Sequence, residues 1–134
     1  DLNVDEGMSL VDALDSLCQQ AEQAVRDGKL LLLLSDRYLQ RGKLPVHALF
    51  ATGAVHHHLV RTGLRCDANI VVETGVARDP HHFACLIGYG ATMVYPYLVY
   101  QLPWCAIVRN RWHGPVRRRA MLPRYDVAHP GHKF

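Results

Sequence analysis

The chain has 134 residues, enough for one domain. Half of the residues are hydrophobic (49%) and a fifth are charged (20%), which excludes a disordered tail, a collagen-like repeat and a disulfide scaffold. The longest obvious apolar run, residues 30–34, is too short to span a membrane, and no basic stretch leads into an apolar one as in a signal peptide. Because the first residue is Asp1, we expect a chain that is processed or cut from a longer protein.

The four cysteines contain no Cys-x-x-Cys pair; they are Cys18, Cys66, Cys85 and Cys105. An even count allows two disulfide bridges. The absence of a secretory signal and of close spacing favours free thiols in a reducing compartment. We therefore expect a globular cytoplasmic domain.

The net charge of +3 hides two unlike segments. Residues 1–100 hold eight basic and eleven acidic side chains, a balance of −3, whereas residues 101–134 hold seven and one, a balance of +6. The second segment also has four of the seven prolines and follows neither a helical nor a strand period. These changes predict a boundary near residue 101 and an irregular basic tail.

The tail has two possible roles. The arginines at 117–119, with Trp104, Trp112 and Tyr125 for stacking, would suit nucleic acid or an anionic surface. A terminus that is merely basic explains the same residues. Because no nucleic-acid-binding module surrounds them, we favour the second interpretation and expect no nucleic-acid partner.

A helix and a strand open the chain. Ser9 followed by Asp12 is a capping-box pattern, apolar residues then recur at helical spacing, and Gly28 ends the helix. The apolar run 30–34 has the length of a strand. Since the run does not alternate with polar residues, it predicts a strand covered on both faces, as in a parallel sheet.

A second helix is predicted over residues 44–63, with Pro45 in its first turn and Gly63 as its C-cap. Its apolar residues lie on more than one stripe, so we expect it to be largely buried. Residues 69–73 form a second strand. Asp79 and Pro80 open a third helix that closes at Gly88–Gly90, and residues 91–95 form a third strand.

Alternating helices and strands indicate an α/β fold with a parallel sheet and right-handed crossovers. Three strands and three helices are too few to close such a sheet or to cover it. The prediction is therefore a partial parallel sheet with covering helices, either an incomplete barrel-like unit or a doubly wound one. Other parts of a longer chain, or a partner, would complete it.

Polar residues follow the predicted strands, where sites form in parallel α/β folds. The first strand leads into Ser35, Asp36 and Arg37, and the second ends in Glu73. This set could bind a polar ligand, or Glu73 could act as a base. We favour loop capping and ion pairing of Asp36 and Glu73 with Arg37 or Arg78, because no nucleophile and base occur at a diagnostic spacing. The four residues remain strand-end or interface candidates.

Histidines form the other candidate set: His47, a triplet at 56–58 and a pair at 81–82. Consecutive helical residues point about 100° apart, so a metal site would have to combine one residue of the triplet with one of the pair, such as His57 with His82. A small metal-dependent hydrolase with Glu73 as base is thus an alternative. No metal-binding motif supports it, and we favour half-buried imidazoles bonded to backbone or to carboxylates such as Glu73.

Seven short motifs, in this order, resemble the glutamate synthase large chain. They are Leu33-Leu34-Ser35-Asp36-Arg37, Pro45, residues 54–59 (AVHHHL), Gly63-Leu64-Arg65, residues 71–75 (VVETG), His81-His82-Phe83, and residues 88–91 (GYGA) with Pro96-Tyr97-Leu98. The resemblance covers about residues 5–100 and falls in the latter part of the family's central domain.

The resemblance implies an enzyme that makes glutamate from glutamine and 2-oxoglutarate. In that family an amidotransferase domain releases ammonia, which reaches an FMN-binding barrel supplied with electrons from NADPH or ferredoxin through an iron–sulfur cluster. The central domain connects the two and helps shape the ammonia route. The implied location is the cytoplasm, or the plastid stroma of a photosynthetic eukaryote.

None of the family's catalytic, flavin or cluster residues falls in this segment. The resemblance therefore implies a connector without catalytic residues, cofactors or metal of its own, whose partners are the remaining domains of the parent enzyme.

Two departures from the family qualify the resemblance. Tyr95 stands before Pro96 where the family usually has an acidic or small residue and Asn, and the resemblance ends beyond Tyr100. We therefore expect a central-domain-like segment at 1–100, followed by a tail at 101–134 that is unrelated or translated out of frame. Comparison of the three reading frames tests this origin, which is excluded if no frame restores the family's continuation.

Overall fold

The computed structural model describes residues 1–101. In chain order the elements are β1 (Asn3–Asp5), α1 (Leu10–Arg26), β2 (Leu31–Ser35), β3 (Lys43–Pro45), α2 (Ala48–Arg61), a 3₁₀ turn (Arg65–Asp67), β4 (Asn69–Glu73), α3 (Pro80–Gly88) and β5 (Met93–Tyr95). Residues 97–101 are again helical. Within the described range, no helix has both the length and the apolar character needed to cross a membrane.

The central sheet is parallel, with strand order β2-β4-β5. Its register places Leu33 beside Val71 and Val71 beside Met93. Helix α2 connects β2 to β4 and α3 connects β4 to β5, which confirms the predicted α/β class with a partial parallel sheet. Residues 1–101 do not close it into a barrel.

Only one face of this sheet is covered within residues 1–101. Leu32, Leu34, Ile70 and Val72 are buried in a core shared with α2 and α3, and α1 packs on α2. The opposite face, which we call the bare sheet face, carries four exposed side chains, Leu31, Leu33, Met93 and Tyr95, which are 61%, 54%, 61% and 43% exposed. Val71 lies between them and is half-buried. The expectation that the first strand is covered on both faces is therefore wrong for the described residues, because the three helices lie on one side.

Helix α2 begins four residues later than predicted. Pro45 does not lie in its first turn but in β3, which pairs with β1 in an antiparallel ribbon that joins Asn3 to Pro45. The side chain of His47 caps α2 instead, accepting a hydrogen bond from the Leu49 amide at 3.3 Å. The error arises because the pairing partner lies some forty residues away in the chain, beyond any local pattern.

The other predicted boundaries are close. Ser9 is the N-cap of α1, although its side chain makes no capping hydrogen bond. Asp79 caps α3 by accepting from the His82 amide at 3.0 Å, with Pro80 in the first turn. Strand β5 begins two residues later than expected, because the Ala91 amide still bonds the Leu86 carbonyl at the end of α3.

The described cysteines Cys18, Cys66 and Cys85 are free thiols, and Cys105 lies outside the described residues. Burial, reinforced by the charge of Asp15, raises the pKa of the Cys18 thiol. Cys18 thus behaves as a small apolar core residue.

Candidate functional site

Three of the predicted strand-end residues meet at the carboxyl ends of β2 and β4. The register places Ser35 beside Glu73. Ser35 Oγ donates to Glu73 Oε2 at 2.6 Å, and Arg37 Nη1 donates to Glu73 Oε1 at 2.9 Å. Because Glu73 is only 9% exposed and both its oxygens accept hydrogen bonds, the geometry favours a structural ion pair over a general base.

Asp36, the fourth predicted residue, links the two loops that follow β2 and β4. Its Oδ2 accepts from the Thr74 hydroxyl and its Oδ1 accepts from the Gly75 amide at 3.1 Å. Thr74 is fully buried, and its amide bonds the Tyr95 carbonyl at 3.1 Å. This arrangement ties all three parallel strands together at one edge. We call Ser35, Asp36, Arg37 and Glu73 the strand-end cluster.

Aromatic rings surround the cluster. The Arg37 guanidinium carbon lies 5.8 Å from the Tyr38 ring centroid and 5.6 Å from that of Tyr97. Burial, followed by the nearby Asp36 carboxylate, raises the pKa of Tyr97. Tyrosine and arginine are frequent in the energetic centres of protein interfaces. The residues around the strand-end cluster are therefore of the types found in such interfaces, and its interface role stays a prediction.

Two histidines lie beside carboxylates, but neither carboxylate is Glu73. His58 Nε2 lies 2.7 Å from Glu22 Oε2, joining α2 to α1, and His82 Nε2 lies 3.5 Å from Asp79 Oδ2. The prediction of half-buried imidazoles paired with carboxylates therefore holds for His58, with a different partner from the one expected.

The histidines do not assemble a metal centre in the part of the chain that the structure describes. No group of three or more His, Cys, Asp or Glu residues there is placed to hold a metal ion. His57 is exposed on α2 and His82 is exposed at the start of α3. The structure therefore does not favour the metal-dependent hydrolase.

One polar cluster does not follow from the sequence patterns. Arg65 Nε donates to His56 Nδ1 at 2.9 Å, and its two terminal nitrogens donate to the carbonyls of Ala68 and Gly90, each at 2.8 Å. We call Arg65, His56 and Gly90 the Arg65 clasp, which joins α2 to the turn before β4 and to the loop before β5. The available signals were Arg65 and Gly90, which belong to two of the motifs that resemble the family, and the pattern around Gly90 predicted only a helix stop.

The clasp makes stability depend on pH. Burial, and then the positive charge of Arg65, lowers the pKa of His56. As the pH falls, His56 therefore binds its proton at a higher pH in the unfolded chain, where its pKa is about 6.5, than in the folded chain. The contribution of His56 to the free energy of unfolding should be fully present above about pH 6.5 and should be lost as the pH falls below it.

Urea unfolding between about pH 7.5 and pH 5 measures this dependence. His56→Asn retains an acceptor for Arg65 but cannot titrate, so it should flatten the curve over that interval. His81→Asn, at an exposed position on α3, is the matched control and should preserve the slope. An unchanged slope in His56→Asn would contradict the assignment.

Comparison with known proteins identifies the family. The profile of the glutamate synthase central domain matches residues 1–122. The chain belongs to this family.

Curated relatives agree with the match. The chain is 44% identical over 110 residues to the ferredoxin-dependent glutamate synthase of Pyropia yezoensis, covering 81% of the chain and 7% of the relative. It is 48% identical over 87 residues to the NADPH glutamate synthase large chain of Bacillus subtilis, covering 65% and 6%. Identity with the ferredoxin-dependent glutamate synthase 2 of Synechocystis is 43% over 127 residues, covering 89% and 8%. The chain thus spans less than a tenth of the length of these relatives.

The match to the glutamate synthase central domain extends past the boundary predicted near residue 101. The tail itself lies outside the described residues. The division of the chain at that point and the out-of-frame origin of the tail therefore stay predictions.

Proposed function

We propose that this chain is the connector segment of a glutamate synthase, one that positions other domains and carries no catalytic group of its own. The observation that carries the proposal is the bare sheet face. Its four large side chains are 43% to 61% exposed, although a parallel sheet is normally covered on both faces. A connector needs such surfaces for contact with its neighbouring domains.

The strand-end cluster supports the same proposal. Its carboxylates accept hydrogen bonds from Ser35, Arg37, Thr74 and Gly75, so they join the carboxyl ends of β2 and β4. Strands that are joined in this way suit a spacer between two active sites. We further propose that this segment helps shape the route along which ammonia travels.

For the whole protein we propose synthesis of glutamate from glutamine and 2-oxoglutarate. FMN and the iron–sulfur cluster would belong to other domains, which are the partners of this segment. The electron donor would be ferredoxin or NADPH, the donors named in the relatives. The proposed location is the cytoplasm or, as in the chloroplastic relatives of Arabidopsis thaliana and Oryza sativa, a plastid.

A chimeric enzyme tests the proposal. The aligned segment of the Synechocystis ferredoxin-dependent enzyme is replaced by this chain, and glutamate formation with reduced ferredoxin is measured. We expect an assembled enzyme that retains activity. A scrambled segment of equal length and composition is the control. An assembled chimera that is no more active than this control would overturn the proposal.

A further inference from the structure

Helix α2 is apolar on two opposite sides. Ala51, Val55 and Leu59 are fully buried against the sheet. At 100° per residue, Phe50 and His57 lie on the opposite side of the helix. Most of the helix is buried or half-buried, as expected, but Phe50 on the outer side is 57% exposed.

This outer side forms the floor of a shallow, open apolar groove of about 310 Å³. One wall is Leu10 and Leu14 of α1, and the other is Tyr89, whose ring packs over Gly53. No Asp, Glu, Lys or Arg side chain of residues 1–101 lines it. We call it the α2 groove.

The shape of the α2 groove suits a helix. Phe50, Ala54 and His57 follow one another at spacings of four and three residues along about 10 Å of α2. The small residues Gly53 and Ala54 lie between bulkier walls, which allows the side chains of a second helix to enter between them. Its lining is apolar apart from His57 and therefore favours an apolar occupant, as in helix-in-groove recognition.

The α2 groove and the bare sheet face are two separate surfaces of the domain. The sheet-facing side of α2 packs on the covered face, so the α2 groove and the bare sheet face lie on opposite sides of the domain. One covering element cannot occupy both. The relatives are more than ten times longer than the chain, so the rest of a polypeptide of that length can supply a second covering element.

We propose that the α2 groove binds an amphipathic helix from elsewhere in the same polypeptide, on the side opposite the bare sheet face. This inference rests on the proposed function. The domain is then a middle layer held from two sides, and the apolar outer side of α2 is an interdomain contact.

Hydroxyl-radical footprinting compares the isolated chain with the chimera described above. We expect oxidation of Phe50 and Tyr89 to be about tenfold slower in the chimera, as burial in an interface core requires. Ile87 of α3, equally exposed but outside the groove, is the internal control and should be oxidised equally in both proteins. Unchanged oxidation of Phe50 in an active chimera would overturn the inference and leave the proposed function standing.

A matched pair of variants gives a second measurement. Phe50→Asp should lower the unfolding temperature of the chimera but leave that of the isolated chain nearly unchanged, whereas Ile87→Asp should be neutral in both. An equal loss in both proteins would mean an internal role for Phe50 and would overturn the inference. So would a dimer of the isolated chain in which Phe50 is protected, since the occupant would then be a second copy. An inactive chimera with a protected groove would overturn the proposed function alone.

Discussion

Gly90→Ala should lower the free energy of unfolding of the chain by about 2–5 kcal/mol. The backbone of Gly90 has φ +109°, a conformation that residues with a Cβ rarely adopt. An added Cβ would also overlap the imidazole of His56, whose own Cβ would be only 2.7 Å away. Because Arg65 fixes that ring at its Nδ1, the ring cannot move without breaking the Arg65 clasp.

The combined cost of Gly90→Ala is backbone strain of about 1–2 kcal/mol, with overpacking of about 1–3 kcal/mol. This is a large part of the roughly 5–15 kcal/mol that stabilises a domain. Gly63→Ala is the control, since Gly63 has φ +74° but nothing within 4 Å of the added Cβ, so only the backbone strain applies. Urea unfolding followed by circular dichroism measures both. Equal losses in the two variants would contradict the steric argument.

Arg37→Met should destabilise the chain by about 2–3 kcal/mol, because it leaves the buried Glu73 carboxylate with one donor fewer. Arg37 is itself partly exposed, at 36% of its side chain, which keeps the loss below that of a fully buried pair. Adding Glu73→Gln to Arg37→Met should restore part of the loss, since a neutral amide needs no counter-charge.

A double-mutant cycle over Arg37 and Glu73 measures this coupling. The pair of Lys43 and Asp5, at 3.5 Å, is the control, because its cation is about as exposed as Arg37 but its carboxylate is 73% exposed. Lys43→Met should cost no more than about 0.5 kcal/mol. If Arg37→Met costs as little as Lys43→Met, the ion pair at the strand ends does not stabilise the edge of the sheet.

Most of the fold follows from local patterns. The strand at Asn69–Glu73 is predicted at its observed bounds, and the helix from Pro80 to Gly88 at its observed start and to within two residues of its end, because an apolar run and an Asp-Pro cap are local signals. The β1–β3 ribbon was missed because each strand has three residues and its partner is distant in the chain. A segment that short has no period to detect.

The site was predictable in part for the same reason. Parallel strands bring their carboxyl ends to one edge, so the meeting of Ser35 with Glu73 follows from the order of elements. The Arg65 clasp does not follow, since Arg65 contacts His56 and Gly90 only after helix, turn and loop have taken their final positions. The continuous apolar run of β2 predicts a strand, but it does not indicate whether residues of this chain cover the outer face of that strand.

The order of the parallel strands has a consequence for synthesis on the ribosome. Since β2, β4 and β5 pair in chain order, each new strand finds its neighbour already made, and the nascent sheet can grow one crossover at a time. Leu31 and Leu33 remain open to solvent throughout this growth. The nascent chain therefore exposes a hydrophobic surface to chaperones from the moment β2 forms until the part of the polypeptide that covers it has been synthesised and has folded.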